Sequence, residues 1–143
     1  MVTEENINRF LEVLESVTKI FASIEYCRED PSLTKYDLFA LDVIYNQKGI
    51  IMSQLAKKLI VGMSTATGII DKLVNKNLVE RRRNHDDRRL VKLMLNTRGN
   101  EIAISHQNRK AEIVRQTLKL LSLKDQESLI SILEKLSRKI RQK

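Results

Sequence analysis

Apolar residues recur every three or four positions along most of this chain, and a strand-like pattern shows over only one short region. Ile7, Phe10, Leu11, Leu14, Val17, Phe21 and Ile24 form the first stripe, the spacing of a helix with one apolar face. Thr3 stands where it can cap that helix, with Glu4 and Glu5 at the positive end of its dipole. The pattern predicts a helix that stops near Asp30, ahead of Pro31, because proline cannot continue the backbone ladder. Ser32 and Thr34 open a second helix, and Thr34 with Asp37 has capping-box spacing. Leu38, Leu41, Val43 and Ile44 supply its buried side, and Gly49 ends it.

A third helix is predicted over Ile51 to Leu59, with Leu55, Ala56 and Leu59 turned inward. Ile60, Val61 and Gly62 make a turn, and Met63 to Asn75 form a fourth helix with Ala66, Ile69, Ile70 and Leu73 inward. Its outward set is Met63, Ser64, Thr67, Gly68, Asp71 and Lys72. Two short helices joined by a glycine-containing turn match a helix-turn-helix, whose second helix can enter a major groove. Asn77 suits the left-handed residue that ends a helix, and Leu78 to Arg83 and Leu90 to Leu95 follow as two short strands around a polar tip. A long helix from Asn96 to about Leu121 comes next. Ser122 and Asp125 cap a last one, striped by Leu129, Ile132, Leu133, Leu136 and Ile140 and ending in Arg138, Lys139, Arg141 and Lys143.

Composition narrows the choice of function. The net charge is +8, yet residues 1–47 hold four Lys/Arg against nine Asp/Glu, so the excess of positive charge lies in the rest of the chain. From Glu80 to Lys92 there are six cations (Arg81, Arg82, Arg83, Arg88, Arg89 and Lys92) and three acids. A basic hairpin directly after a helix-turn-helix points to an anionic partner, nucleic acid ahead of a membrane surface. All the aromatics, Phe10, Phe21, Tyr26, Tyr36, Phe39 and Tyr45, lie in the first 45 residues. With no stacking platform near the basic hairpin, duplex DNA is favoured over single strands or RNA. The alternative class is a helical interaction protein whose basic hairpin docks an acidic protein surface.

Other chemistry is sparse. His85 and His106 do not pair with Cys27 or with each other at metal-ligand spacing, so no metal or cofactor is expected. The four glycines are scattered rather than grouped in a phosphate loop. Asp86 and Asp87, set among arginines, read as ion-pair partners and not as catalytic carboxylates. The chain is therefore not expected to be an enzyme. Cys27 has no neighbouring cationic cluster or second thiol, so an inert thiol is favoured over a redox sensor. A lone cysteine, an acidic start and no long apolar run predict a cytoplasmic protein without a membrane span.

An ordered set of short motifs resembles the MarR family of winged-helix transcription regulators over nearly the whole chain. It comprises Leu33-Thr34, Ser64-Thr65-Ala66-Thr67, Asn77-Leu78-Val79-Glu80-Arg81, Asp87-Arg88-Arg89, Leu95-Asn96-Thr97-Arg98-Gly99 and Leu121-Ser122 followed by Asp125. The resemblance implies a mainly α (α+β) single domain. A winged helix-turn-helix core with a two-stranded wing would occupy 34–97, and 1–30 and 98–143 would be dimerisation helices. It further implies a homodimer on a pseudo-palindromic site with half-sites about 10 bp apart, with repression the commoner outcome. Met63, Ser64, Thr65 and Thr67 would face the major groove, with Lys72 near phosphate. Arg81, Arg82, Arg83 and Arg88 would line the wing, and Arg89, oriented by Asp87, would enter a minor groove. Tyr36, Phe39 and Tyr45 are the candidates for a pocket holding a small aromatic effector. Three positions depart from the family's habit: Gly68 stands where an Arg is frequent, Asn77 replaces a helix-ending Gly, and Asn96 replaces a capping Thr.

Overall fold

Capping chemistry decides where several helices begin. In the computed structural model, which describes residues 1–142, the Thr3 hydroxyl accepts the Asn6 N–H and opens α1 (Glu4–Phe21). Thr34 opens α2 (Lys35–Asn46) through a reciprocal box. Its Oγ1 accepts the Asp37 N–H at 3.3 Å, and Asp37 Oδ2 accepts the Thr34 N–H at 2.7 Å. Ser122 caps α6 (Leu123–Arg141) by accepting the Asp125 N–H. Each contact satisfies a donor that the first helical turn leaves without an intrahelical partner. Between α2 and α6 run β1 (Ile50–Ile51), α3 (Met52–Leu59), α4 (Met63–Asn75), β2 (Val79–Arg83), β3 (Val91–Leu95) and α5 (Thr97–Leu118). This is the mainly α, winged helix-turn-helix architecture that the sequence predicts. Lys143, counted in the basic end of the last helix, lies outside the described residues.

Residues 1–109 form one unit. Its core joins Leu38, Leu41 and Ile44 of α2, Leu55 of α3, Ile70 and Leu73 of α4, Leu93 of β3, and Ile102 and Ala103 of α5. Burying each large aliphatic side chain contributes about 1.5–3 kcal/mol. None of the residues of α1 is buried, and Phe10, Leu11, Val13, Leu14 and Ile20 are bare along it. The second unit starts at Lys110. Its helix-helix turn is closed by Gln126 Nε2, which donates to the carbonyls of Leu118 and Leu121 at 3.0 and 3.1 Å. α6 also has no buried residue, and Leu129, Ile132, Leu133, Leu136 and Ile140 are exposed. No helix among the described residues is long and apolar enough to cross a membrane.

The first helix is shorter than predicted. α1 ends at Phe21 and passes through a 3₁₀ turn (Ala22–Glu25) into extended backbone at Tyr26, well before Asp30. Distant side chains take the carbonyls there: His106 Nε2 lies 2.8 Å from the Ile24 oxygen, and Arg109 Nη2 donates to the Tyr26 oxygen. A carbonyl can only accept, so Nε2 carries a proton; Nδ1 of the same buried ring lies 3.0 Å from Asp42 Oδ2. Cys27 is buried beside this segment, its thiol donating to Glu29 Oε2 at 3.3 Å, and burial pushes its pKa up. A buried, protonated thiol is a poor nucleophile, in line with the inert role expected for it.

The sheet has a third strand. β2 and β3 pair antiparallel with Val79 opposite Leu95 and Arg83 opposite Val91, and β1 joins the other edge of β3 with Ile50 opposite Leu93. Two residues are too few to show an alternating pattern, so Ile51 reads from sequence as the start of α3. Gly49, at φ +80°, turns the chain from α2 into β1 and donates its N–H to the Leu93 carbonyl. α2 itself has already ended at Asn46.

Among the described residues, two other than glycine hold positive φ. Asn77 does so as predicted, at φ 57°. Ile60 is the unexpected one: it closes α3 at φ 56°, ψ 49° with its side chain 90% exposed. A β-branched residue is strained in that region. Ile60→Gly is therefore expected to raise stability by about 1 kcal/mol, since it relieves the strain and removes no buried surface. Urea denaturation of the two proteins measures this, and a loss of stability would show that Ile60 makes contacts worth more than its strain.

Candidate nucleic-acid interface

α4 is held on its inner side by lysines and apolar residues, which leaves its outer side free. Ala66, Ile70 and Leu73 are buried and Ile69 is half-buried. Met63, Ser64, Thr65, Thr67 and Gly68 are exposed, where the sequence places them. Thr67 donates its hydroxyl to the Met63 carbonyl at 2.8 Å. Lys72 does not join this outward group. Its Nζ donates to Asp37 Oδ2 at 2.6 Å and to the Ser32 carbonyl at 2.8 Å, so this half-buried lysine is engaged within the fold and is not held free for phosphate as expected. The helical period brings Lys72 to the edge of the buried face, and the buried Asp37 carboxylate captures it there. One turn on, Lys76 pairs with Asp30 at 2.8 Å. The two lysines tie α4 and its C-cap to the first turn of α2 and to the segment before it.

Lys76, with the Ser32 hydroxyl next, holds the Asp30 carboxyl down to about 2 from its usual 3.8. A depressed carboxylate stabilises the fold above its unfolded pKa, and that contribution is lost as pH falls from about 4 toward 2. The thermal midpoint is expected to drop across that window, with a shallower drop in Lys76→Met. Parallel curves for the two proteins would show that the pair does not govern the acid limb.

The wing rises beside α4. Asn84 Oδ1 accepts the Asp86 N–H, and the Asn84 N–H reaches the Leu90 carbonyl, so the tip closes on itself. Asp87 then faces Arg89 with both oxygens. Oδ1 lies 3.0 Å from the Arg89 N–H nitrogen and 3.2 Å from Nε, and Oδ2 lies 3.5 Å from Nη2. The Arg89 side chain is otherwise bare, 91% exposed. Asp87 thus contacts both the backbone and the guanidinium of Arg89. Arg81 is bonded to Asp71 of α4, which links wing to helix, and Arg82 pairs with Glu80 at 3.0 Å. Arg83 and Arg88 are exposed. Arg82 and Arg83 border an open groove of about 500 Å³ with Asn84, His85, Lys92 and Met94.

The three aromatics proposed for an effector pocket do not converge. Tyr36 and Phe39 meet edge to face at 6.1 Å on an exposed part of α2, with Lys35 Nζ 5.7 Å from the Tyr36 ring. Tyr45 lines a separate cavity of about 80 Å³ with Ile44, Lys48, Met94, Leu95 and Asn100. At about 100° per residue, the nine positions from Tyr36 to Tyr45 amount to about two and a half turns, which puts them on opposite faces. A dry cavity of about 150 Å³ is the scale that admits benzene, so the Tyr45 cavity is small for an aromatic guest.

Sequence reasoning missed the polar tethers in the middle of α5. His106, Ser105 and Arg109 reach Asp42, Glu29 and the backbone of Ile24 and Tyr26. Separations of 64 to 83 residues leave no local pattern that could have shown them. Glu29 is pushed below its usual range, chiefly by the Ser105 hydroxyl.

A helix pair with a bare second helix, followed by a β-hairpin tipped with a braced arginine, defines a winged helix-turn-helix protein. Residues 33–91 match the model of the MarR family. That match runs from the residue before Thr34, the cap of α2, to the first residue of β3. Over 128 residues it is 26% identical to the uncharacterized HTH-type transcriptional regulator YdgJ of Bacillus subtilis (strain 168), covering 89% of this chain and 76% of that protein. Its fold is that of Streptococcus pneumoniae FabT, solved in complex with DNA, with a TM-score of 0.85, 24% identity, and 98% and 99% of the two chains covered. AbsC, a MarR family transcriptional regulator from Streptomyces coelicolor, aligns with a TM-score of 0.81, 23% identity, and coverage of 100% and 99%. The S. aureus MepR–DNA complex aligns with a TM-score of 0.74, 19% identity, and coverage of 97% and 99%.

Proposed function

We propose that this chain is a MarR family transcription regulator and not an enzyme, a homodimeric repressor that occludes a promoter by binding a pseudo-palindromic duplex. α4 enters the major groove of each half-site through Met63, Ser64, Thr65 and Thr67, and each wing sets Arg89 in the neighbouring minor groove. The observation that carries this reading is the Asp87-braced, otherwise bare Arg89 beside a helix with a free outer face. A narrow minor groove concentrates negative potential, and a guanidinium already fixed by a carboxylate loses less entropy on insertion. Arg82, Arg83, Arg88 and Lys92 supply phosphate contacts, which makes affinity fall steeply with salt. FabT and MepR, which share the fold, are both solved in complex with DNA, and this supports DNA as the partner. The test is fluorescence anisotropy of a duplex from the gene's own upstream region against random duplex over a salt series. Equal affinity for the two would refute a sequence-specific regulator.

The bare apolar residues of α1 and α6 support the dimer. Exposed apolar area of this extent is uncommon on a monomer. Sedimentation at micromolar concentration is expected to show a dimer, and Phe10→Glu with Leu14→Glu, both on exposed positions of α1, is expected to shift it to monomer. A folded wild-type monomer would overturn this. A small aromatic effector would need a site other than one formed jointly by Tyr36, Phe39 and Tyr45.

A further inference from the structure

We infer that α4 recognises thymine methyl groups in the major groove, so that the base pairs beneath it are A·T pairs; this rests on the DNA-binding reading above. The side chains left free on the outer face carry the argument. A guanine is read best by a bidentate arginine or lysine, and an adenine by asparagine or glutamine. α4 contains no arginine or glutamine. Its one lysine before the last residue, Lys72, is held by Asp37 and the Ser32 carbonyl. Its one carboxylate, Asp71, is bonded to Arg81. Asn75 is the last residue of the helix, about 18 Å along the axis from Met63, whereas base contacts come from the N-terminal turns of a recognition helix.

What remains at those turns is a thioether, methyls and hydroxyls. Thr67 has already given its hydroxyl proton to the Met63 carbonyl, so it has no donor left for a base and presents its methyl beside an oxygen that can only accept. Met63 is exposed and apolar. At Gly68 an added Cβ would meet no protein atom within 4 Å. The interior of the protein therefore gives no reason for a glycine in mid-helix, where it weakens the helix. A surface approaching from outside gives one, because the missing Cβ lets the backbone come close to the groove floor. The wing leads independently to the same composition, since the narrow minor groove of A·T tracts is the one that favours an inserted arginine such as Arg89.

The test is selection of a random duplex library on the full-length protein, followed by replacement of single thymines with deoxyuridine, which keeps base pairing and removes only the methyl. Enriched half-sites are expected to hold A·T pairs at the major-groove positions under α4. Each critical deoxyuridine is expected to weaken binding about fourfold, the scale for one buried methyl-sized group. In Thr67→Ser, which keeps the hydroxyl and loses the methyl, one of those penalties is expected to vanish. Half-sites with G·C pairs at those positions, or unchanged affinity for every deoxyuridine duplex, would overturn the inference while leaving DNA binding intact. A library with no enriched sequence would overturn both.

Discussion

Arg89→Ala lowers affinity for the operator duplex by roughly ten- to a hundredfold, the effect of losing about 1–3 kcal/mol of a groove contact. The protein itself is expected to stay as stable as before, because the side chain is 91% exposed and contacts the rest of the chain only through Asp87. One cation fewer at the duplex also lowers the slope of log affinity against log salt by about one. Asp87→Ala separates the charge from its orientation. It leaves Arg89 in place but frees the guanidinium from its 3.2 Å contact, so binding weakens by less and the salt slope is kept. Anisotropy over a salt series measures all three proteins. An Arg89→Ala protein that binds the operator as tightly as the wild type would take the wing tip out of recognition.

The largest effect on stability is expected from adding one methyl group at Gly99. A Cβ built there falls 2.1 Å from the Leu78 carbonyl oxygen and 3.1 Å from its carbon. That oxygen cannot move aside easily, because it accepts the Asn96 N–H, and Asn96 Oδ1 in turn caps α5 through the Gly99 N–H at 2.8 Å. Backbone therefore meets backbone at the base of the wing, and Gly99→Ala costs about 3 kcal/mol or more. Gly68→Ala is the control with opposite sign. Its Cβ enters open space, so the same chemical change stabilises α4 by about 0.5–1 kcal/mol. Urea denaturation compares the pair, and a Gly99→Ala protein of unchanged midpoint would contradict the packing described at Leu78.

Asn96 and Asn77 show how far local chemistry reaches. Both depart from the residues common in the family, yet Asn77 takes the left-handed conformation and Asn96 caps α5, as their side chains allow. Ile60 shows the reverse. Nothing in an isoleucine announces a positive φ, yet it holds one between the buried Leu59 and the start of α4.

By itself the sequence determined the helices and their caps, the hairpin, the charge of the wing and the outward set Met63, Ser64, Thr65 and Thr67. These follow from periodicity and from contacts three or four residues apart, which a linear chain displays openly. Tertiary structure alone decided which cations remain free. Lys72 and Arg81 look like Arg89 in sequence, yet Asp37 and Asp71 take the first two, and Asp87 only steadies the third. It also decided that α1 stops at Phe21, that a two-residue strand completes the sheet, and that Tyr45 turns away from Tyr36 and Phe39. The reason is common to all of these except the aromatics. The ion pairs of Lys72 and Arg81, the pairing of β1 and the captured carbonyls depend on partners 10 to 83 residues away, whose positions exist only once the chain has folded.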